Sequence, residues 1–442
     1  MNASGAPSSE SLERDASQIN ARHGKIDAGE IAVGVIIGRT SEFFDFFVYA
    51  IASVVVFPAL VFPYAGPVQG TLLSFAVFAV AFLARPIGSA IFIAVDRRFG
   101  RGTKLTIALF LLGISTVCLG FLPSYATAGH WAAVMLIVLR IGQGIALGGT
   151  WDGMASLLAV SAPENRRGWY AMVPQLGAPL GLIVASALFA YFIAKLSPED
   201  FYSWGWRYPF FVAFAINVVA LFARLRIVVT PTFQSAFHSR ELKPTPIGST
   251  VREDGVGILV GTFAPLAAFA MFHMVTVYPL SWVYLYTDES PARFLMIELI
   301  GAVFGVAAIL ASGWLADRYG RRKLIGATAF GIAVFSALAP QMLDGGMGGE
   351  FAYMIIGFIL LGLSFGQASG VIASGFTPRN RYTASALTSD LTWLFGAGFA
   401  PMVALWLSAE FGAYAGGAYL LSGAVVTLLA LWLNRRVGLA RD

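Results

Sequence analysis

Apolar runs near 20 residues long alternate with short polar gaps along the 442-residue chain, a spacing that predicts twelve membrane-crossing helices. They lie at about 31–62, 69–95, 105–122, 130–160, 169–194, 207–226, 256–285, 292–316, 324–343, 351–376, 382–408 and 416–434. Every second gap is basic: Arg97, Arg98, Arg101 and Lys104; Arg166 and Arg167; Arg240, Lys243 and Arg252; Arg318 to Lys323; Arg379 and Arg381. The intervening gaps 63–68, 123–129 and 344–350 hold no Lys or Arg. Basic loops stay cytoplasmic, so both termini are expected in the cytoplasm of a multi-pass protein of the plasma (bacterial inner) membrane.

The longest polar stretch, 227–255, carries Pro231, Pro244 and Pro246 and reads as a cytoplasmic linker. It divides the chain into a tail at 1–30, a six-helix bundle at 31–226, a second six-helix bundle at 256–434 and a tail at 435–442. A similar charged stretch follows the second span of each half, Asp96-Arg97-Arg98-Phe99-Gly100-Arg101 and Asp317-Arg318-Tyr319-Gly320-Arg321-Arg322, with the two Asp residues 221 positions apart. A repeat at half the chain length points to an all-α membrane protein of two duplicated bundles. The substrate path is then expected where the bundles meet, near mid-membrane.

One span departs from the apolar pattern. The first run contains Gly38–Tyr49, GRTSEFFDFFVY, with Arg39, Glu42 and Asp45 inside its length. Hydrocarbon penalises each of these charges by kilocalories. Arg39, Glu42, Asp45 and Tyr49 fall on one side of a helix, so they form a polar stripe that must face a cavity or other protein.

The chain is 57% hydrophobic and 12% charged, against roughly 45–50% apolar residues in soluble domains, as an integral membrane protein requires. Its net charge of +5 sits in the gaps, where it sets orientation, and a nucleic-acid partner is excluded. Cys118 is the only cysteine, so no internal disulfide forms, and residues 1–30 lack the apolar core of a cleaved signal peptide. One Cys and four His exclude a Cys/His metal cluster. The Gly-rich runs lie inside spans with no strand before them, so no phosphate loop, cofactor or enzyme chemistry is expected.

Gly313–Lys323, GWLADRYGRRK, resembles the cytoplasmic loop motif G-x-L-x-D-R-x-G-R-R-K of the major facilitator superfamily. The segments GRTSEFFDFFVYA (38–50), ARPIGSAIF (84–92), RIGQGIALGG (140–149), RRGWYAMVPQLGAPLG (166–181) and WGWRYPF (204–210) together resemble its metabolite:proton symporter family. The C-terminal half agrees through Arg381-Tyr382-Thr383-Ala384-Ser385 and Gly396–Pro401, so the likeness spans about residues 31–434. It implies the major facilitator fold, import of organic acids or zwitterionic osmolytes, and a gating role for Asp317, Arg318, Gly320, Arg321 and Arg322. Three positions depart from the family pattern. The first loop copy is degenerate, with Arg97 and Ile93 where the family has Asp and Gly; Thr150 replaces a usual Glu after Gly148-Gly149, with Asp152 two residues on; and Asp390 stands where relatives carry a neutral polar residue.

The stripe on the first span is either a self-contained ion pair or the proton-coupling and substrate-gating element, and intramembrane carboxylates favour the latter. Asp45 sits deepest: burial penalises its charged form while an arginine nearby favours it, so substrate or helix movement can switch its proton. Asp45 is the first candidate proton carrier, Glu42 the second, and Asp390, well inside its own span, an additional proton or cation site. Arg85 lies about 16 Å of helix rise from the basic loop, too deep to snorkel. Its partner is either a permanent anion such as Asp45 or a substrate carboxylate matched by the guanidinium fork; the arginine at this position is implicated in substrate binding in the family it resembles. Arg140, with Gln143, Leu147 and Thr150 on its face, is a salt-bridge partner of Asp45 or a second clamp; Asp152 is turned about 120° away from Arg140. Tyr49, Arg39, Gln175, His273 and Gln367 complete the candidate substrate site. A lone His such as His273 is more often satisfied by a neighbour. Glu298 reads as a rim ion pair with Arg293, Trp204, Trp206 and Tyr208 as outer-interface aromatics, and Pro174, Gly177, Pro179 and Gly181 as packing elements of the fifth span.

The expected function is alternating-access import of a small organic anion, mono- or dicarboxylate, together with a proton, by a monomer in the lipid bilayer. The alternatives are proton-coupled uptake of a zwitterion such as proline or betaine, or a sensor of the same fold. Only six residues follow Arg436, short of the C-terminal coiled coil of osmosensing relatives, and no added soluble domain supports a sensor.

Overall fold

A bilayer offers backbone N–H and C=O groups no partner, so each apolar run closes its own hydrogen bonds as a helix. The computed structural model describes residues 28–150, 158, 163–228, 243–373, 376–377 and 379–437. In the first half α1 is Ala28–Val55, α2 Pro67–Phe99, α3 Arg101–Leu119, α4 Trp131–Gly149, α5 Arg167–Lys195 and α6 Tyr208–Val228. In the second, α7 is Leu266–Tyr286, α8 Pro291–Tyr319, α9 Arg321–Leu343, α10 Gly346–Ile372, α11 Arg381–Phe411 and α12 Ala413–Val437. Among the described residues, eleven of these helices are long and apolar enough to cross a membrane. The remaining one is α1, in which every 18-residue stretch includes Arg39, Glu42 and Asp45.

Glycine decides where the helices touch. A Cβ on Gly88, Gly144 or Gly148 would run into the facing backbone, so these residues let α2 and α4 pack in contact. Gly177 and Gly181 do the same for α5 against α1, as their packing role in the sequence anticipates. Gly100 at φ +85° and Gly320 at φ +90° make the same tight turn after α2 and α8, which marks the two loops as copies.

Three helices depart from regularity. The seventh span begins with a separate helix, Ile247–Phe263, whose first part lies in the stretch 227–255 read as linker; the chain breaks at Pro265 and again at Val277. α5 tightens into a 3₁₀ turn at Val173–Leu176, after its first turns, and α11 contains a π-helical stretch at Trp393–Gly398, a widening common at functional sites. Trp204 and Tyr208 are exposed as interface aromatics should be. Trp206 is not: it is buried, with Nε1 donating to the Tyr202 carbonyl at 3.1 Å.

Candidate functional site

α1 carries its polar stripe against α3, α4 and α6, and each buried charge is met inside the first bundle. Glu42 bridges two arginines: Oε2 accepts from Arg39 at 2.5 Å and Oε1 pairs with Arg224 of α6 at 2.5 Å. Arg224 fits there because Gly38 leaves space that a Cβ would fill, 2.7 Å from Arg224 Nε. Ser41 donates to Asn217 of α6 at 2.7 Å, tightening the same seam.

Asp45 and Arg140 form no ion pair among the described residues, against the direct pairing considered from the sequence. A relay of side chains separates them: Arg140 donates to Gln143 Oε1 at 3.0 Å, Gln143 Nε2 to Thr116 Oγ1 at 2.9 Å, and Thr116 to Asp45 Oδ1 at 2.6 Å. Arg140 also donates to the Phe78 carbonyl and lies 3.9 Å from the centroid of the Tyr49 ring, whose hydroxyl has no hydrogen-bond partner. A guanidinium over an aromatic face keeps its charge available in a dry site. Asp45 is 3% and Arg140 1% exposed, so the relay is sealed from water.

Arg85 has an anion, and it is Asp390. Arg85 Nε lies 2.7 Å from Asp390 Oδ1, while Ser89 donates to Oδ2 and Trp393 stacks near the guanidinium at 5.8 Å. This pair joins α2 to α11, across the two bundles. Asp45 is therefore not the permanent partner of Arg85.

An open cleft of about 410 Å³, counting the solvent space at its mouth, is lined by Arg39, Glu42, Phe43, Phe46, Phe82, Arg85, Leu147, Thr150 and Trp393. Arg39 is 27% exposed and Arg85 12%, so both are within reach of water, and the charges are not locked together. Phe46, Phe82 and Trp393 also form one wall of an aromatic cage that holds His273 with Phe78 and Phe272. His273 is wholly buried and neither ring nitrogen finds a hydrogen bond, so the neighbour expected to satisfy it is missing. Asp152 lies outside the described residues; Thr150 faces the cavity.

The two charged loops latch one end of the bundles. Asp317 accepts from the free N–H groups of Gly168 and Trp169 at the start of α5, at 2.6 and 3.1 Å, satisfying a helix N-terminus of the opposite bundle. Arg321 donates to Gln367 and to the Gly370 carbonyl, Arg322 to the Leu431 carbonyl, and Arg318 packs on Trp314 and Tyr319. Gln367 also donates to the Gly168 carbonyl at 3.1 Å, which places it in this latch and away from the cavity. Gln175 sits in the 3₁₀ turn of α5, buried, its Oε1 without a partner. In the degenerate first loop Asp96, one position before the family's Asp, does equivalent work: it pairs with Lys104 and Arg101 and accepts from Tyr382, near the start of α11, at 3.0 Å.

At the opposite end Tyr202 and Tyr284 hydroxyls meet at 3.2 Å across the bundles. Glu298 is no rim ion pair. It is wholly buried against Ser186 of α5, and Arg293 pairs instead with Glu289 and Glu350. Arg224, Thr116, Ser89 and Ser186 were not among the residues singled out by sequence; only Gly38, beside Arg39, hinted that a large side chain packs there.

The sequence matches the family model described as Major Facilitator Superfamily over residues 40–401. It is 37% identical to the inner membrane metabolite transport protein YhjE of Escherichia coli (strain K12), covering 96% of both chains. It is 30% identical to the shikimate transporter of the same organism, over 92% of this chain and 94% of that one. Among solved structures, a D-xylose-proton symporter superposes with a TM-score of 0.70 at 21% identity, over 91% of this chain and 96% of that one, and so shares its fold.

Proposed function

The chain belongs to the major facilitator superfamily, and from that premise we propose that it imports a small organic anion with a proton by alternating access. It is a multi-pass secondary transporter of metabolites; the anion, the proton and the inner membrane of a bacterium, with both termini cytoplasmic, are our reading. The observation that carries it is the charge around the cavity. Two arginines, Arg39 and Arg85, line this cavity at 27% and 12% exposure, so guanidinium groups stand where water and a solute can reach them. A carboxylate substrate matches such groups, and Arg85 is the fork for it: the substrate displaces Asp390 from a guanidinium already held in place.

Asp45 serves as the proton carrier. Its carboxyl faces no cation directly, so the neutral acid is readily accommodated in the buried site, and the Thr116–Gln143 relay tells Arg140 whether the proton is present. Phe46, one residue from Asp45, is both cavity wall and cage wall, which couples substrate occupancy to access at Asp45. Transport then needs only a difference in stability between the two facing states, set by loading. Arg85, Asp390 and Glu42 present opposite charges side by side, and this favours a second reading, a zwitterion such as proline or betaine.

Proteoliposomes with an imposed pH gradient decide between them. Accumulation of mono- or dicarboxylates is expected; accumulation of zwitterions alone overturns the organic-anion reading.

A further inference from the structure

Glu298 lies seven residues, about 10 Å of helix rise, inward from the start of α8, at the seam with α5. It is 0% exposed. Ser186 Oγ donates to its Oε2 at 3.1 Å, and Oε1 has no partner. No cation among the described residues comes within ion-pair distance. On its own helix, Arg293 is engaged by Glu289 and Glu350. From α10, Glu350 is in that pair and Tyr353 donates to the Met274 carbonyl. From α7, Tyr278 bonds Ser408, Tyr284 bonds Tyr202, and His273 is enclosed in its aromatic cage. Among the described groups of α5, the Ser186 hydroxyl is the one that bonds Glu298.

A carboxylate stripped of water with one neutral donor and no cation is among the costliest groups a protein can bury, so the shut seam must hold the neutral acid. When α5 and α8 part, external water reaches Glu298 and the acid can ionise. We propose that Glu298 is a second proton site, one that has to be loaded from the external medium before the outer seam between α5 and α8 closes. The step is a simple protonation: an external hydronium gives its proton to the carboxylate, and the proton returns to external water when the seam reopens. The outer seam stays shut while the cytoplasmic side opens, so this proton is never delivered inward; it gates, while the proton on Asp45 travels. The inference rests on alternating access, and not on the identity of the substrate.

The closed state binds one proton more than the open one, so raising the pH by one unit favours opening by up to about tenfold. Spin labels at the exposed positions Tyr191→Cys on α5 and Met296→Cys on α8, in a Cys118→Ser background, report the seam by pulsed electron resonance with neither substrate nor gradient. Between about pH 5.5 and pH 8.5, on either side of the range a partly shielded carboxyl spans, the long-distance population is expected to grow about tenfold or more. Glu298→Gln, which keeps the shape and the acceptor for Ser186, is expected to stay closed at both. Equal distributions in the two proteins, or no pH response with Glu298 present, overturn the proposal. Infrared spectroscopy supplies a check that needs no change at Glu298. In an Asp45→Asn protein the carbonyl band of a protonated carboxyl is expected in the closed form, disappearing in step with the distance change, and its absence there overturns the proposal as well. Because both measurements omit substrate, a failed carboxylate screen leaves them readable.

Discussion

The two bundles hold the carboxylates inside their spans at Glu42, Asp45, Glu298 and Asp390 by different means. In the first, Glu42 meets Arg39 and Arg224, and Asp45 reaches Arg140 through Thr116 and Gln143, all within one bundle. In the second, Asp390 depends on Arg85 and Ser89, and Glu298 on Ser186, all from the opposite bundle, while His273 has no hydrogen-bond partner among the described residues. Rocking one bundle against the other therefore leaves the contacts of Asp45 intact and removes those of Asp390 and Glu298. A proton can stay on Asp45 through the conformational change and leave by access to water, whereas the groups of the second bundle register the change itself.

The largest expected effect tests the first bundle. Asp45→Asn should abolish gradient-driven accumulation in proteoliposomes while substrate exchange continues; undiminished accumulation would remove Asp45 as the carrier. Next comes the seam pair. Arg85→Ala takes away a charge-assisted contact of about 1.5–3 kcal/mol, which raises the half-saturating concentration of a carboxylate about 10- to 150-fold. Asp390→Asn sharpens this result: if Asp390 is the counter-charge that substrate displaces, half-saturation falls, and if it carries a proton, accumulation falls instead. A smaller loss is expected from Gln143→Leu, which interrupts the relay between Arg140 and Thr116. The broken buried hydrogen bonds, worth about 1–3 kcal/mol, should slow uptake roughly tenfold with normal membrane expression, and unaltered kinetics would make the relay irrelevant. Smallest is Tyr382→Phe, which removes one hydroxyl from the latch with Asp96 and Lys104. A cost of about 1 kcal/mol shifts the facing-state population about fivefold toward the state open at this latch, read as label distances across the ends of α2 and α11 that meet there.

Spans, turns and the charged stripe were legible because each is a local property. Apolar run length reports bilayer thickness, and the positive-φ turns at Gly100 and Gly320 are copies 220 residues apart with matching flanks. The stripe on α1 follows from angular spacing alone. Partner identity was not legible: Ser89 and Asp390 touch across 301 residues of chain, and Thr116 is one of three hydroxyls, with Thr106 and Ser115, in an otherwise apolar run. Arg224 sits near the end of its span and reads as an ordinary boundary residue until Gly38 is seen to make room for it. Glu298 was drawn to Arg293 by proximity in sequence, although five residues along a helix turn a side chain about 140° away.

By itself the sequence determined that this chain crosses a bilayer about twelve times, that it is a duplicated bundle, and which faces of its helices carry charge, since a helix maps residue spacing directly onto angle and depth. Which charge meets which was decided only by tertiary structure. An ion pair in a membrane protein forms between helices, and the glycines that let those helices close to contact set the distances that no periodicity encodes.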